Sequence, residues 1–587
     1  MSDHWRIFLS FLIVIAFFLA MFDRILPKSV DTMYVNGVFY TLDEDGSVVD
    51  AMAIRRDRIA GVGTAPELQD RFKPKQIVDL QGRTVLPGFI DAHAHLMNLA
   101  LLRTTINLFG VPSELEAAKV VQRRLAEVRE GVWIRGRGWD QNLWSGKKFP
   151  SKSVLDRVAP NNPVYLERVD GHAAWVNARA LELAGITREV QDPPGGRILR
   201  DEKGNPSGIL IDNAMDLVSL VIPELSESEA DEALDLAFKE CVMYGITTVH
   251  DMGVKWNEIE RYKRYADQGT MPIRVYAAVD GTDDSTWSES LGRGPLRGYG
   301  GHRLTVRAVK LYVDGALGSR GAALIEPYSD DPSNRGLTLA SEDELRQKVR
   351  QALETGFQAC VHAIGDRGNR IILDVYEAAL KELPRKDHRF RVEHAQVLAL
   401  EDIPRFQKLG VVPSMQPTHC TSDMYWAEAR LGPRRIRGAY AWRFLRETGV
   451  VIPGGSDFPV EHPNPLYGIY AAMTRKDHRG RPHDADEVAR TFQISDAGVV
   501  ERSVFEDGWY GSQKLTREEA VRSFTSWSAW AAFEEDVKGS LEAGKLADFV
   551  VLSDDLMKIE PQEILRTEVE MTVVGGNIVY RKAKAPL

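Results

Sequence analysis

Five short polar signals close five separate apolar runs in this chain, and their placement constrains the fold more than any other feature. They are His93 and His95 in Leu86-Pro-Gly-Phe-Ile-Asp-Ala-His-Ala-His95, Lys310 in Val309-Lys-Leu-Tyr-Val-Asp-Gly315, His362 in Cys360-Val-His-Ala-Ile-Gly-Asp366, His394 in Arg391-Val-Glu-His-Ala-Gln396, and Asp457 in Pro453-Gly-Gly-Ser-Asp-Phe-Pro459. The apolar runs recur at barrel spacing: Thr84–Ile90, Gly245–Val249, Ile273–Val279, Thr305–Tyr312, Gln358–His362, Phe390–His394, Val411–Gln416 and Val450–Ser456. Helical periodicity fills several gaps between them, as in Ser341–Thr355 with Leu345, Val349 and Leu353 on one face. Strands alternating with helices predict an α/β fold, a (β/α)8 TIM barrel, whose functional side chains gather at the carboxyl ends of the strands.

Side chains alternate along a strand, so the His-x-His of His93 and His95 points both imidazoles to one face, where they can share one ion. Taken alone, His362 or His394 reads more simply as a satisfied core histidine. Together, at the ends of successive strands, the residues describe a metal site. The four imidazoles and the Asp457 carboxylate suit zinc, with manganese, iron or cobalt as other occupants. Lys310 needs a further step, because an ammonium repels a cation. Burial lowers a lysine pKa, and the neutral amine can then capture carbon dioxide as an anionic carbamate. The competing reading of Lys310 is a salt-bridged barrel lysine paired with Asp314.

These motifs resemble the amidohydrolase superfamily, and within it the amidohydrolase-3 or YtcJ-like branch that includes N-substituted formamide deformylase. The resemblance runs from about Met33 to Arg581. It is carried by Leu86–His95, Val309–Arg320, Arg391–Gln396, Gly455–Pro459 and Gly539-Ser-Leu-Glu-Ala-Gly-Lys-Leu-Ala-Asp-Phe-Val-Val-Leu552. It implies one or two zinc ions, bridged by the Lys310 carbamate when there are two. It also resembles the branch that Gln416-Pro-Thr-His419 ends the seventh run; Gln416 either contacts substrate or holds a loop.

At 587 residues the chain exceeds what one core organises. Residues 30–83 and 538–587 alternate like strands and predict one small β-sandwich built from both chain ends; 84–110 and 241–537 form the barrel. The gap between the first two barrel strands is too long for one helix, so residues 111–240 are expected to form an inserted lid or substrate subdomain. Gly136-Arg-Gly-Trp-Asp140 and Arg168-Val-Asp-Gly-His172 fall there and also resemble the branch. Either they place Trp139, Asp170 and His172 against a substrate at the barrel mouth, or glycine and tryptophan shape a small core.

Ile7 to Phe22 is uncharged and apolar, followed by Asp23-Arg-Ile-Leu-Pro27. Residues 1–29 therefore predict a membrane anchor, a transmembrane helix, or a signal segment whose cleavage would export the protein, with the anchor favoured and its orientation open. A net charge of −10 argues against a nucleic-acid partner. Cys241, Cys360 and Cys420 lie far apart and form no thiolate cluster motif.

The expected function is metal-assisted hydrolysis of a carbon–nitrogen bond in an amide, formamide or cyclic amide, with Asp457 as proton shuttle and a small molecule as substrate. A mononuclear deaminase, an ester or lactone hydrolase, and a non-catalytic membrane scaffold are the alternatives. Substrate identity and homo-oligomer formation stay open.

Overall fold

The structure, a computed structural model, describes residues 27–168, 173–193, 196–223, 225–482 and 507–583. It divides into two compact units, Met1–His95 with Phe238–Leu587, and Leu96–Ala237.

In the larger unit a parallel sheet runs through β1 (Phe89–Ala94), β2 (Ile246–Val254), β3 (Arg274–Asp280), β4 (Leu304–Tyr312), β5 (Gln358–Ala363), β6 (Arg391–His394) and β7 (Val412–Ser414), in that spatial order. Helices return the chain between strands. The periodicity at Leu345, Val349 and Leu353 becomes the helix Glu342–Thr355, which buries those three side chains; Ser341 caps its start and Gly356, at φ 87°, its end.

The expected eighth strand is not a regular strand. Pro453 has no N–H to offer a ladder, yet the segment is stitched on both sides. Met415 N donates to Pro453 O (3.1 Å) and Gly455 N to Met415 O (3.1 Å), while Ala92 N donates to Gly454 O (3.0 Å) and Asp457 N to His93 O (2.7 Å). The result is a nearly closed parallel barrel of the TIM type.

The first run also departs from expectation, because Thr84–Ile90 serves two sheets. Thr84–Pro87 pairs antiparallel with Phe549–Leu552, Val85 opposite Val551, and the barrel strand starts at Phe89. The chain changes sheets at Gly88, where a Cβ would stand 2.2 Å from Thr247 Cγ2, so close packing against β2 excludes a side chain. Thr84–Pro87 belongs to a six-stranded sheet built from both chain ends; Lys28–Val35, Ala51–Arg55, Arg58–Gly63 and Phe72–Asp79 form a four-stranded one. Tyr34, Phe39, Val85, Phe549 and Val573 of the two sheets meet in one hydrophobic cluster.

The smaller unit has its own six-stranded sheet, which includes Ile134–Trp139, Val164–Arg168 and Ala173–Val176. Its core holds Trp139, Trp144 and Trp175.

The membrane expectation is corrected. Among the described residues no helix is long and apolar enough to cross a membrane. The apolar run Ile7 to Phe22, from which the anchor, the transmembrane helix and the exported alternative were all read, lies outside the described residues.

Asp548, in the C-terminal motif, is structural. It accepts from Arg274 Nε at 2.6 Å and Nη2 at 2.8 Å and from Gly575 N at 2.7 Å, tying the end-built sheet to β3. Both partners are buried, at 5% and 1% exposure. Asp548→Ala strands a buried guanidinium and should cost about 3–5 kcal/mol in urea unfolding; a loss below about 1 kcal/mol, the scale of a solvated surface pair, would refute that role.

Candidate metal centre

The ends of β1, β4, β5 and β6, with the segment after β7, bring His93, His95, Lys310, His362, His394 and Asp457 into one cluster. Parallel register sets Tyr312 beside His362 and His362 beside Glu393. The ring centroid of His394 stands 4.8 Å from that of His93 and 4.5 Å from that of His362. His394 and Asp457 take left-handed backbone conformations, φ 73° and 60°. Such conformations are costly for residues other than glycine and concentrate at functional sites.

Three of the imidazoles have their tautomer set by a neighbour that can only accept. His93 Nδ1–H donates to Glu393 Oε2 (2.6 Å), His95 Nδ1–H to the Met252 carbonyl (2.8 Å) and His394 Nδ1–H to Gln416 Oε1 (2.8 Å). Each neutral ring is then left with an unprotonated Nε2, the arrangement of a histidine ligand with its outer acceptor. Those atoms meet Asp457: Oδ1 lies 3.1 Å from His95 Nε2 and 3.6 Å from His93 Nε2. A lone pair facing a carboxylate oxygen at that distance is repulsive unless positive charge stands between them. His362 Nε2 and Asp457 Oδ1 are also out of solvent contact and without a hydrogen-bond partner. Orphaned atoms of this kind are expensive, and the donor set fits a divalent cation.

The electrostatics agree. Burial opposes charge on Asp457, but the surrounding histidines, His93 first, outweigh it and hold the carboxyl well below its usual range. Burial, with Lys310 nearby, pushes His93 down to about 4, and burial with Lys310 and His93 pushes His362 to about 3. Burial would lower His95 as well, yet the adjacent Asp457 carboxylate raises it. A positive charge is favoured beside Asp457, whether proton or metal ion.

Lys310 is 1% exposed, with Nζ 3.4 Å from His93 Nε2. Among the described residues no carboxylate forms a salt bridge with it. Asp314, its alternative partner, instead accepts from the backbone N–H of Ile364 (2.9 Å), Gly365 (2.8 Å) and Ala323 (2.8 Å). Burial lowers the Lys310 pKa, partly opposed by Glu393 and Asp457.

Behind the imidazoles lies a buried polar layer. Arg391 Nε meets Glu393 Oε1 at 2.7 Å. Burial works against the Glu393 charge, but Arg391 and His93 prevail and keep the carboxyl below its ordinary range. Asp91 accepts from His93 N at 3.1 Å and from Ser456 Oγ at 2.6 Å, with its carboxyl pushed up to about 7 by burial.

Four expected substrate contacts fare differently. Gln416 spends its carboxamide inside the site, Oε1 on His394 and Nε2 on the Ser414 carbonyl at 3.3 Å. Trp139 is corrected: fully buried, it donates Nε1–H to Leu166 O (2.7 Å) and packs with Trp144 and Trp175 as core of the smaller unit. A ring enclosed on all sides by its own unit has no face for a ligand. Asp170 and His172 lie outside the described residues. His419, the last residue of Gln416-Pro-Thr-His419, stands with Nε2 3.5 Å from Asp457 Oδ2. The Gln-Pro-x-His spacing, opening a helix just past a strand end, was the signal for it.

Comparison with known proteins agrees with this architecture. The family model described as amidohydrolase family matches residues 76–580. The chain is 35% identical to Protein LONG AFTER FAR-RED 3 of Arabidopsis thaliana, covering 94% of this chain and 91% of that protein. It is 32% identical to putative amidohydrolase YtcJ of Bacillus subtilis (93% and 99%) and 28% identical to N-substituted formamide deformylase of Arthrobacter pascens (94% and 98%). Among solved structures, an uncharacterized metal-dependent hydrolase from Pyrococcus furiosus superposes with a TM-score of 0.71 at 27% identity, over 90% of this chain and 100% of that one. The chain belongs to the amidohydrolase family, and the protein is a hydrolase.

Proposed function

We propose that the protein hydrolyses carbon–nitrogen bonds in amides, formamides or cyclic amides, with Asp457 carrying the proton. The observation behind this reading is the set of tautomer-fixed imidazoles whose free Nε2 atoms converge on one carboxylate. Likeness to an N-substituted formamide deformylase along nearly the whole of both chains supports the choice of bond.

His93, His95, Lys310, His362, His394 and Asp457 would hold one or two divalent cations, zinc being the best match to nitrogen and carboxylate donors. When bound, such a cation polarises the substrate carbonyl and lowers the pKa of a coordinated water towards about 7. Lys310 contributes an anionic ligand once its neutral Nζ attacks carbon dioxide: an N–C bond forms and the nitrogen gives up a proton to solvent. Burial without a carboxylate partner keeps that amine available. Asp457, held ionised by the neighbouring histidines, accepts a proton from the attacking water and passes it to the leaving nitrogen as the C–N bond breaks. Glu393 and Gln416 keep His93 and His394 in the tautomer that leaves Nε2 free.

Metal analysis of protein purified without chelator and supplied with zinc and bicarbonate should return about two ions per chain, falling to one or none in Lys310→Ala. One ion unaffected by the change would replace the bridged site with a mononuclear one.

Asp457→Asn tests the proton carrier. On an amide identified by substrate screening, kcat should fall about 100- to 10,000-fold with far less change in KM. A kcat within tenfold of the unaltered protein would remove Asp457 from that role.

A further inference from the structure

Asp457 presents its two oxygens to two different sets of histidines. Oδ1 faces His93 and His95; Oδ2 faces His419, 3.5 Å from its Nε2. The ligand atoms of His394, His419 and Asp457 all lie within 4.8 Å of one another, as do those of His93, His95 and Asp457. The two trios share only the carboxylate.

We propose that His419 joins His394 and Asp457 as a ligand of the second cation, the one that Lys310 bridges to the first, so that Asp457 reaches both positions through its two oxygens. This adds His419 to the ligands named under the hydrolase reading and rests on that reading. His394 Nδ1 is occupied by Gln416, which leaves its Nε2 as the donor. His419 Nε2 is out of solvent contact and has no hydrogen-bond partner. Its distance from Oδ2 is too long for a hydrogen bond. Tetrahedral ligands around zinc, each about 2.0–2.2 Å from the metal, stand roughly 3.5 Å apart. The His419–Asp457 pair already has that spacing, and a shift of about an ångström closes the trio.

The helix Pro417–Asp423 fixes His419 in its first turn, one turn past Gln416, and its ring lies parallel to that of His394 at 6°, with centroids 5.9 Å apart. Both rings are therefore set by one short stretch of chain: Gln416 orients one and the helix it begins carries the other. Two nitrogen donors and a carboxylate oxygen suit zinc, manganese or cobalt.

The test is calorimetric titration of full-length protein, stripped by chelator, with zinc chloride in bicarbonate buffer. The unaltered chain should bind about two equivalents. His419→Gln, similar in bulk but a poor zinc ligand, should bind the first with unchanged affinity and the second about 100-fold more weakly or not at all. Binding of both equivalents with unaltered affinity in His419→Gln overturns the proposal and leaves the hydrolase reading intact. A single equivalent in the unaltered chain overturns it in favour of a mononuclear hydrolase, and no binding at all removes the hydrolase reading with it. Should His419→Gln fail to fold, His419→Asn, smaller and likewise a poor zinc ligand, is titrated in its place, and binding of both equivalents with unaltered affinity overturns the assignment.

Discussion

The stitching of residues 453–458 to β1 is the constraint on which the centre depends. Asp457 N donates to His93 O, His95 N donates to Phe458 O at 2.9 Å, and Ala92 N donates to Gly454 O, so the carboxylate-bearing segment and the His-x-His strand are held at fixed register without a regular ladder. The approach is so close that a Cβ at Gly455 would stand 2.5 Å from His93 N, and glycine is required there by contact. Asp91 reinforces the same joint by accepting from both sides, His93 N and Ser456 Oγ. The left-handed backbone at Asp457 is the local cost of turning the carboxylate inward.

Behind that joint, buried ionic groups do what an apolar core could not. Arg391, Glu393 and His93 are all fully buried, and the chain of contacts from guanidinium to carboxylate to ring fixes which imidazole nitrogen carries the proton. A buried ion pair is a poor source of stability. Its value here lies in orientation: the ring nitrogen that faces Asp457 is determined before any ligand arrives.

Strand-end placement was legible because the barrel puts functional side chains at the carboxyl ends of apolar runs, a pattern that survives in one dimension. What failed to show were the places where tertiary contacts override that pattern. The apolar run from Thr84 to Ile90 continues unbroken through a change of sheet, since only contact with Thr247 singles out Gly88. The segment at Pro453 reads as an apolar run although its hydrogen bonds are made piecemeal on two sides. Trp139 looked equally suited to stacking and packing; only its enclosure among Trp144 and Trp175 separates the two. The Gln-Pro-x-His motif marks His419 but not its neighbour, because a side chain on a helix after the strand reaches Asp457 through space, across residues far apart in the chain.

The pairing of Thr84–Pro87 with Phe549–Leu552 has a consequence for synthesis. The strand that leads directly into the first barrel strand finds its antiparallel partner only when residues 549–552 have been made, and Arg274 waits equally long for Asp548. A growing polypeptide must therefore hold an apolar edge, and a cation buried in the finished molecule, without their partners while everything between them is translated. Contacts so distant in sequence close late and slowly. During that interval the exposed edge is open to pairing with other chains, so the arrival of Phe549–Leu552 is what ends the nascent chain's exposure to aggregation.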